Sequence, residues 1–444
     1  MNDIAGIPYI RAPFEIDGRL TSTVDVPAGT TDVIVISHGW NNDQADAEDL
    51  YQRLFTSFSQ VGEANDLDGR KLAVVGVIWP SKRFDEMVAS VAEQESAQGS
   101  ASLNSSASAE SEKLLVDKLA SMESLFTKPE QKAALADMRK LIPDLEDKAT
   151  ARRAFVDKLR SLVDSSHADA EDASNLFFKE DGEDVMQALK IDESDLDASL
   201  TNDGGSASLP LGVGTVKPKT TTSAEGAAGF LSFLSGFKSA AMNALNFTTY
   251  YEMKSRAGTV GKNGVAPLVD SLSDSIERVH LVGHSFGGRV VTAAAANSTT
   301  DRIRSMSLLQ TAFSHNGFSK SMNGFFRSVV EKKRVDGPIL VTHTQNDKAV
   351  GIAYPLASRL AFQTAAALGD AGDKYGGLGR NGAQKMEPNE IDPTHSKMLP
   401  SDGAYQFKTK KFFNLEASPY VKGHSDITGK EVAHAVRHAV ASSS

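Results

Sequence analysis

Two stretches near the N-terminus, Thr31 to Ser37 (TDVIVIS) and Lys71 to Trp79 (KLAVVGVIW), are short β-branched apolar runs that end in turn-forming residues. A strand with one face in water alternates apolar and polar side chains; these do not, so both of their faces must be covered. Such strands belong inside a parallel sheet, whose crossovers are helices. Asn41 to Val61 supplies one, with Leu50, Leu54, Phe55 and Phe58 on a helical stripe. Asp46, Glu48 and Asp49 lie near its expected N-terminus, where the helix dipole favours acids. The alternation resumes with strand Arg278 to Gly283, helix Val290 to Ala296, strands Ile303 to Gln310, Pro338 to His343 and Lys411 to Leu415, and helix Thr428 to Ala441. The expected fold class is α/β: a mostly parallel sheet covered by helices on both faces.

Between Ser81 and about Phe247 this pattern stops. An Ala/Ser-rich piece from Ala89 to Ser111 reads as a linker or weak exposed helix. Helical stripes follow at Leu115, Leu119, Met122 and Phe126 and at Phe155, Leu159 and Leu162, with Pro129 and Pro143 between them, so two to four helices are expected. An acidic tract from Asp169 to Asp197 and a Gly/Ser/Thr-rich stretch from Asn202 to Gly226 read as solvated segments. The greasy stretch Gly226 to Phe247 is broken by Ser232, Ser235, Lys238, Ser239 and Asn243, so it falls short of a membrane span. Its Phe230, Phe233, Leu234, Phe237, Ala241 and Leu245 share one helical face, which fits a core helix, with a flap over an acyl pocket or a peripheral membrane contact as alternatives. The expected organisation is a core in two parts, residues 1–81 and 246–444, around a helical insertion at 82–245.

The 444 residues carry 47 Lys plus Arg against 57 Asp plus Glu, a net charge of −10, which argues against nucleic acid as a partner. The absence of cysteine excludes a disulfide framework, a thiolate nucleophile and thiolate metal ligands. The opening MNDIAGIPYIRAPFEIDG has acids where a secretory signal needs a basic start, so a cytoplasmic location is expected.

Chemistry concentrates at residues 281 to 288, LVGHSFGG. A buried-type strand runs into G-x-S-x-G made by Gly283, His284, Ser285, Phe286 and Gly287, and RVVTAAAA continues as a helix. A sharp strand-to-helix turn must hold the central serine in a strained conformation, and glycines two positions away remove the collisions that turn would cause. The Ser285 hydroxyl would then stand at the carboxyl end of the sheet, with the backbone N–H groups at the helix start facing a developing negative charge. That arrangement suits acyl transfer.

These residues resemble the α/β-hydrolase family, in particular its lipase-like and esterase-like members, over residues 31 to 81 and 246 to 441. The resemblance implies an α/β-hydrolase fold, a first oxyanion donor at the Phe286 N–H, the residue after the nucleophile, and a His-Gly loop, here His38 and Gly39 in VIVISHGWNN, that supplies a second: Trp40, with Asn41 the alternative. The family's chain order is nucleophile, acid, histidine. It points to Asp347 in THTQNDKAV and to His424 in ASPYVKGHSDITG, against rivals His395, His434 and His438, with Ser425 or Asp426 capping the last helix. The implied activity is cleavage of carboxylic esters, small or lipid-like, by Ser285, His424 and Asp347 without metal or other cofactor. The same triad would serve a peptidase, amidase or acyltransferase, and an inactive core acting as an interaction module is the non-enzymatic alternative. The chain departs from the family layout where its insertion precedes the nucleophile and where Asp347 to His424 is long and Gly-rich.

Other signals are weaker. Gly377, Gly379 and Gly382 spell G-x-G-x-x-G, but no apolar strand precedes them, so a flexible loop is expected rather than a dinucleotide site. His434 and His438 lack the Glu of H-E-x-x-H and read as surface histidines, EKKR at 331–334 as a solvated helix end, and Trp79, Pro80 and Ser81 as a strand end directed toward the pocket or, equally, as simple strand termination.

Overall fold

The computed structural model describes residues 3–61, 66–81, 105–190, 236–347 and 374–443. The chain divides into two compact units, one of Met1–Lys82, Met253–Gly351 and Gly369–Ser444, the other of Arg83–Glu252 and Ile352–Leu368.

The first unit is of the α/β class. Strands β1 (Asp3–Ile4), β2 (Ile7–Pro13), β3 (Asp32–Ser37), β4 (Leu72–Ile78), β5 (Arg278–His284), β6 (Ile303–Leu309), β7 (Ile339–His343) and β8 (Phe412–Glu416) form one sheet in the order β1-β2-β4-β3-β5-β6-β7-β8. From β2 to β8 every pairing is parallel, and only β1 runs the other way. The carboxyl ends of β3, β5, β7 and β8 therefore share one edge. Ile34, Ile36, Val74, Val282, Leu309 and Leu340 pack on helices α1 (Gln44–Gln60) and, at the C-terminus, Lys430–Ala441. The intervening Val33, Val35, Leu281 and Val279 are equally buried on the opposite face, where helix Phe286–Asn297 contacts β3, β5 and β6. Two covered faces are the reason these strands lack polar alternation. Helix α1 starts at a reciprocal cap in which the Asp46 N–H donates to Asp43 Oδ1 (2.9 Å) and the Asp43 N–H to Asp46 Oδ2 (3.0 Å).

Strand β2 is a departure from expectation, since Pro8, Arg11 and Pro13 disguise it. Its Arg11 reaches Glu48 of α1 at 2.6 Å. At the amino edge of the sheet the fully buried Asp32 accepts from Arg278 Nε (2.9 Å), Thr31 Oγ1 (2.6 Å) and His280 Nε2 (3.2 Å), with Arg70 Nη1 at 3.4 Å. Burial would raise this carboxyl, but the bonds from His280, Arg278 and Thr31 hold it well below the usual carboxylate range.

In the second unit, helices α2 (Ser105–Met122), α3 (Pro129–Leu141), α4 (Ala149–Leu162), α5 (Ser174–Lys179) and α6 (Gly182–Leu189) are found among the described residues, one more than the upper expectation. The last two correct the reading of the acidic tract as solvated. Phe177, Val185, Met186 and Leu189, spaced between the acids, are buried, and Glu183 clasps Arg152 through two bonds of 2.6 and 2.8 Å. Helix α7 (Gly236–Val260) carries the chain from this unit into the first, so the expected boundary at 245 falls inside a helix. The stretch Asn202 to Gly226, Phe230, Phe233 and Leu234 lie outside the described residues. No described helix is long and apolar enough to cross a membrane.

Candidate active site

Strand β5 delivers Ser285 to the carboxyl edge at φ 55° and ψ −126°, a backbone region that L residues avoid. Three hydrogen bonds hold it there. The Ser285 N–H donates to Leu309 O (3.1 Å), and its carbonyl accepts from Gly288 N–H (3.0 Å) and Ala312 N–H (3.1 Å). The flanking glycines are required by space: a Cβ on Gly283 would stand 2.5 Å from Gly287 O, and one on Gly287 would stand 2.1 Å from Ser37 O. The strand, elbow and helix are thus packed backbone to backbone.

The structure brings Ser285, His424 and Asp347 together. His424 Nε2 stands 2.8 Å from Ser285 Oγ, and His424 Nδ1 stands 2.9 Å from Asp347 Oδ2. A carboxylate can only accept, so Nδ1 carries the proton and, in the neutral ring, Nε2 accepts from the serine hydroxyl. Asp347 is fully buried, whereas the His424 side chain is partly open. A relay of this kind can draw the proton from the hydroxyl as Oγ attacks an electrophile, and the carboxylate favours the imidazolium that results.

The loops that carry Asp347 and His424 are strapped together by residues the motifs do not reveal. Asn346 Nδ2 donates to Val421 O (2.9 Å) and Ser418 O (3.2 Å), and Thr344 Oγ1 meets Ser418 Oγ at 2.8 Å. The Asn346 amide thus spans the two loops. Behind Ser285, Thr342 Oγ1 accepts from the Gln310 N–H (3.2 Å) and donates to Gln310 Oε1 (2.9 Å), joining the ends of β6 and β7.

The loop after β3 lies against Ser285. A Cβ on Gly39 would come within 2.6 Å of Ser285 Cβ, and the Trp40 and Phe286 rings meet edge to face at 6.0 Å. His38 fixes this loop. Its Nε2 accepts from the Trp79 N–H (3.2 Å), so Nδ1 carries the proton and donates to Gly39 O (2.9 Å), while Trp79 Nε1 donates to His38 O (3.0 Å). Burial pushes the His38 imidazole down to about 4, against the opposing pull of the Gly39 carbonyl, Asp46 and Asp43. Asn41 sits at φ 63° and donates its N–H to Ser81 O (2.9 Å), so its amide is engaged away from the serine. Trp79 is buried, stacked on His38 at 5.6 Å, and buttresses the loop.

The rival histidines lie elsewhere. His395 Nε2 accepts from the Gln406 N–H (2.8 Å) and the ring packs on Tyr405. His434 is not at the surface as expected: it is buried and donates through Nε2 to Gly403 O (2.6 Å), with the His438 ring beside it at 4.4 Å. Neither Ser425 nor Asp426 caps the last helix, whose N-cap is Gly429; Asp426 Oδ2 accepts from the Lys422 N–H instead (2.9 Å). The Gly377 to Gly382 segment is no open loop. It contains the short helix Leu378–Asn381, and Gly379 bonds both Thr311 O and the Thr344 N–H at 2.9 Å. Among the described residues no cluster of three or more His, Asp or Glu could hold a metal ion.

No protein-family model, curated protein sequence or solved structure matches this chain.

Proposed function

We propose that this chain is a serine hydrolase with an α/β-hydrolase fold that cleaves carboxylic esters through an acyl-enzyme. The observation that carries the reading is the continuous hydrogen-bonded path from Asp347 Oδ2 through His424 to Ser285 Oγ, ending on a serine at φ 55°. Strain at one serine or a single His-Asp pair is common; their conjunction at the carboxyl edge of a parallel sheet is what acyl transfer needs. In this reading His424 accepts the Ser285 proton as Oγ attacks the ester carbonyl. The amides of Phe286 and Trp40 receive the oxyanion, each worth ~100- to 1,000-fold in turnover. His424 then protonates the departing alcohol, and water repeats the cycle to release the acid. The Phe-rich sequence around Phe230 to Phe247 favours esters with an apolar acyl or alcohol group, lipid esters included. A cytoplasmic site of action belongs to the same proposal.

A fluorophosphonate probe and a panel of chromogenic esters beside matched amides test it. The wild-type chain should be labelled at Ser285 and turn over esters faster than amides, and Ser285→Ala should lose both labelling and at least ~1,000-fold in turnover. Labelling of the Ser285→Ala variant, or no labelling of the wild type, defeats the proposal.

A further inference from the structure

The residue before the nucleophile has an engaged side chain that the triad does not use. His284 closes β5, is 6% exposed, and its Nε2 stands 2.9 Å from the main-chain oxygen of His424. A carbonyl only accepts, so the His284 proton is on Nε2 and Nδ1 is bare. That Nδ1 is buried without a hydrogen-bond partner among the described residues, so the bond to the His424 loop is the one the ring makes there. The two imidazoles lie 5.0 Å apart. Burial first, and the His424 ring second, push His284 down to about 3, while the His424 carbonyl and Asp347 pull the other way; the ring is neutral over the working range.

The base loop has its other ties elsewhere. Asn346 and Thr344 hold residues 418–421 to the acid loop, and the Gly423 turn closes on itself through the Asp426 N–H to Gly423 O (3.2 Å). Between the elbow and the base loop stand the Ser285–His424 bond and the His284–His424 bond. The first cannot persist through turnover: once Ser285 is acylated its oxygen carries no hydrogen to donate. The second involves no reacting atom.

Resting on the triad reading above, we propose that His284 is a positioning residue, whose Nε2–H pins the main chain at His424 so that the base keeps its place over the elbow after Ser285 has been acylated. Its contribution then falls chiefly on deacylation, when His424 must activate water without the serine hydroxyl to guide it.

Glutamine places an amide nitrogen near the position of Nε2, while asparagine reaches only to that of Nδ1, so the pair His284→Gln and His284→Asn separates the bond from mere polarity. His284→Gln should keep kcat within about threefold of wild type, and His284→Asn should lose roughly tenfold or more, with KM within about twofold in both. Pre-steady-state acylation should be less affected than deacylation. Equal kcat values for the two variants, or a loss confined to KM, overturn the proposal. Independent of any variant, imidazole 15N spectra of the wild-type chain must report His284 as the Nε2–H tautomer; the Nδ1–H tautomer overturns it outright. Fluorophosphonate labelling of the wild type is the control: its absence defeats the triad reading and this proposal together, whereas labelling with equal Gln and Asn variants defeats the role of His284 alone.

Discussion

His38 makes a quantitative prediction about acid. Its imidazole is completely buried, bonded at both nitrogens in the neutral form, and pushed from an ordinary value of 6.5 down to about 4. Between these values the unfolded chain binds a proton at His38 and the native chain does not, so falling pH favours unfolding; below about 4 both states bind it and the slope vanishes. Each pH unit inside the window costs about 1.4 kcal/mol, so passing from pH 7 to pH 5 removes about 2 kcal/mol through this one ring. His284, held down to about 3, adds a similar loss over the same interval. The assay is urea unfolding at pH 7, 6 and 5 followed by tryptophan fluorescence, because the chain's 2 tryptophans, Trp40 and Trp79, both belong to the environment of His38. His38→Gln keeps a polar side chain that does not titrate. Any constant cost of that substitution cancels in the slope, and the variant should lose about 2 kcal/mol less than wild type from pH 7 to pH 5. Parallel pH dependences for the two proteins would refute the claim that His38 is held neutral by burial.

Two further outcomes are expected. Gly39→Ala introduces a Cβ 2.6 Å from Ser285 Cβ and 3.1 Å from Oγ, so Ser285 or the loop must move; if Ser285 is the nucleophile proposed above, fluorophosphonate labelling should slow by about 100-fold while circular dichroism still reports a folded chain. Labelling at the wild-type rate would show that the loop yields freely. Asp32→Asn leaves Arg278 and Arg70 without their buried carboxylate at the far edge of the sheet, and should cost about 3–5 kcal/mol in urea unfolding with the labelling rate of folded protein unchanged. A stability loss under about 1 kcal/mol would contradict the burial of that cluster.

What could be read in the sequence was whatever two-sided burial writes into composition. TDVIVIS and KLAVVGVIW have no polar alternation because helices cover both faces, so the parallel sheet and its helices were legible. Strand β2 was not: Tyr9 and Ala12 alone are buried in it, and prolines at 8 and 13 hide a strand that is specified by its parallel partner β4. The acidic tract misled for the opposite reason, since the run of acids at Glu180, Asp181, Glu183 and Asp184 masks the Val185, Met186 and Leu189 that α6 buries. At the site, chain order and loop position picked out Asp347 and His424, but only the folded chain shows them within hydrogen-bond distance. His284 and Asn346 stayed invisible because their partners are main-chain oxygens, His424 O for one and Ser418 O and Val421 O for the other, and a carbonyl leaves no trace in residue identity.

The arrangement of β3 sets the order in which this molecule can come into being. Asp32 pairs with Leu72 on one side and with Arg278 on the other. A nascent chain leaving the ribosome can close the first pairing early, but the loop that flanks Ser285 must wait until residues 83–252 of the second unit have been synthesised before its neighbour arrives. Loop closure grows only slowly with length, about 0.6 kcal/mol per doubling, so the delay costs time more than stability. During that interval the far side of β3 is an unpaired edge of Val33, Ile34, Val35 and Ile36, and it is there that chaperone dependence during translation should concentrate.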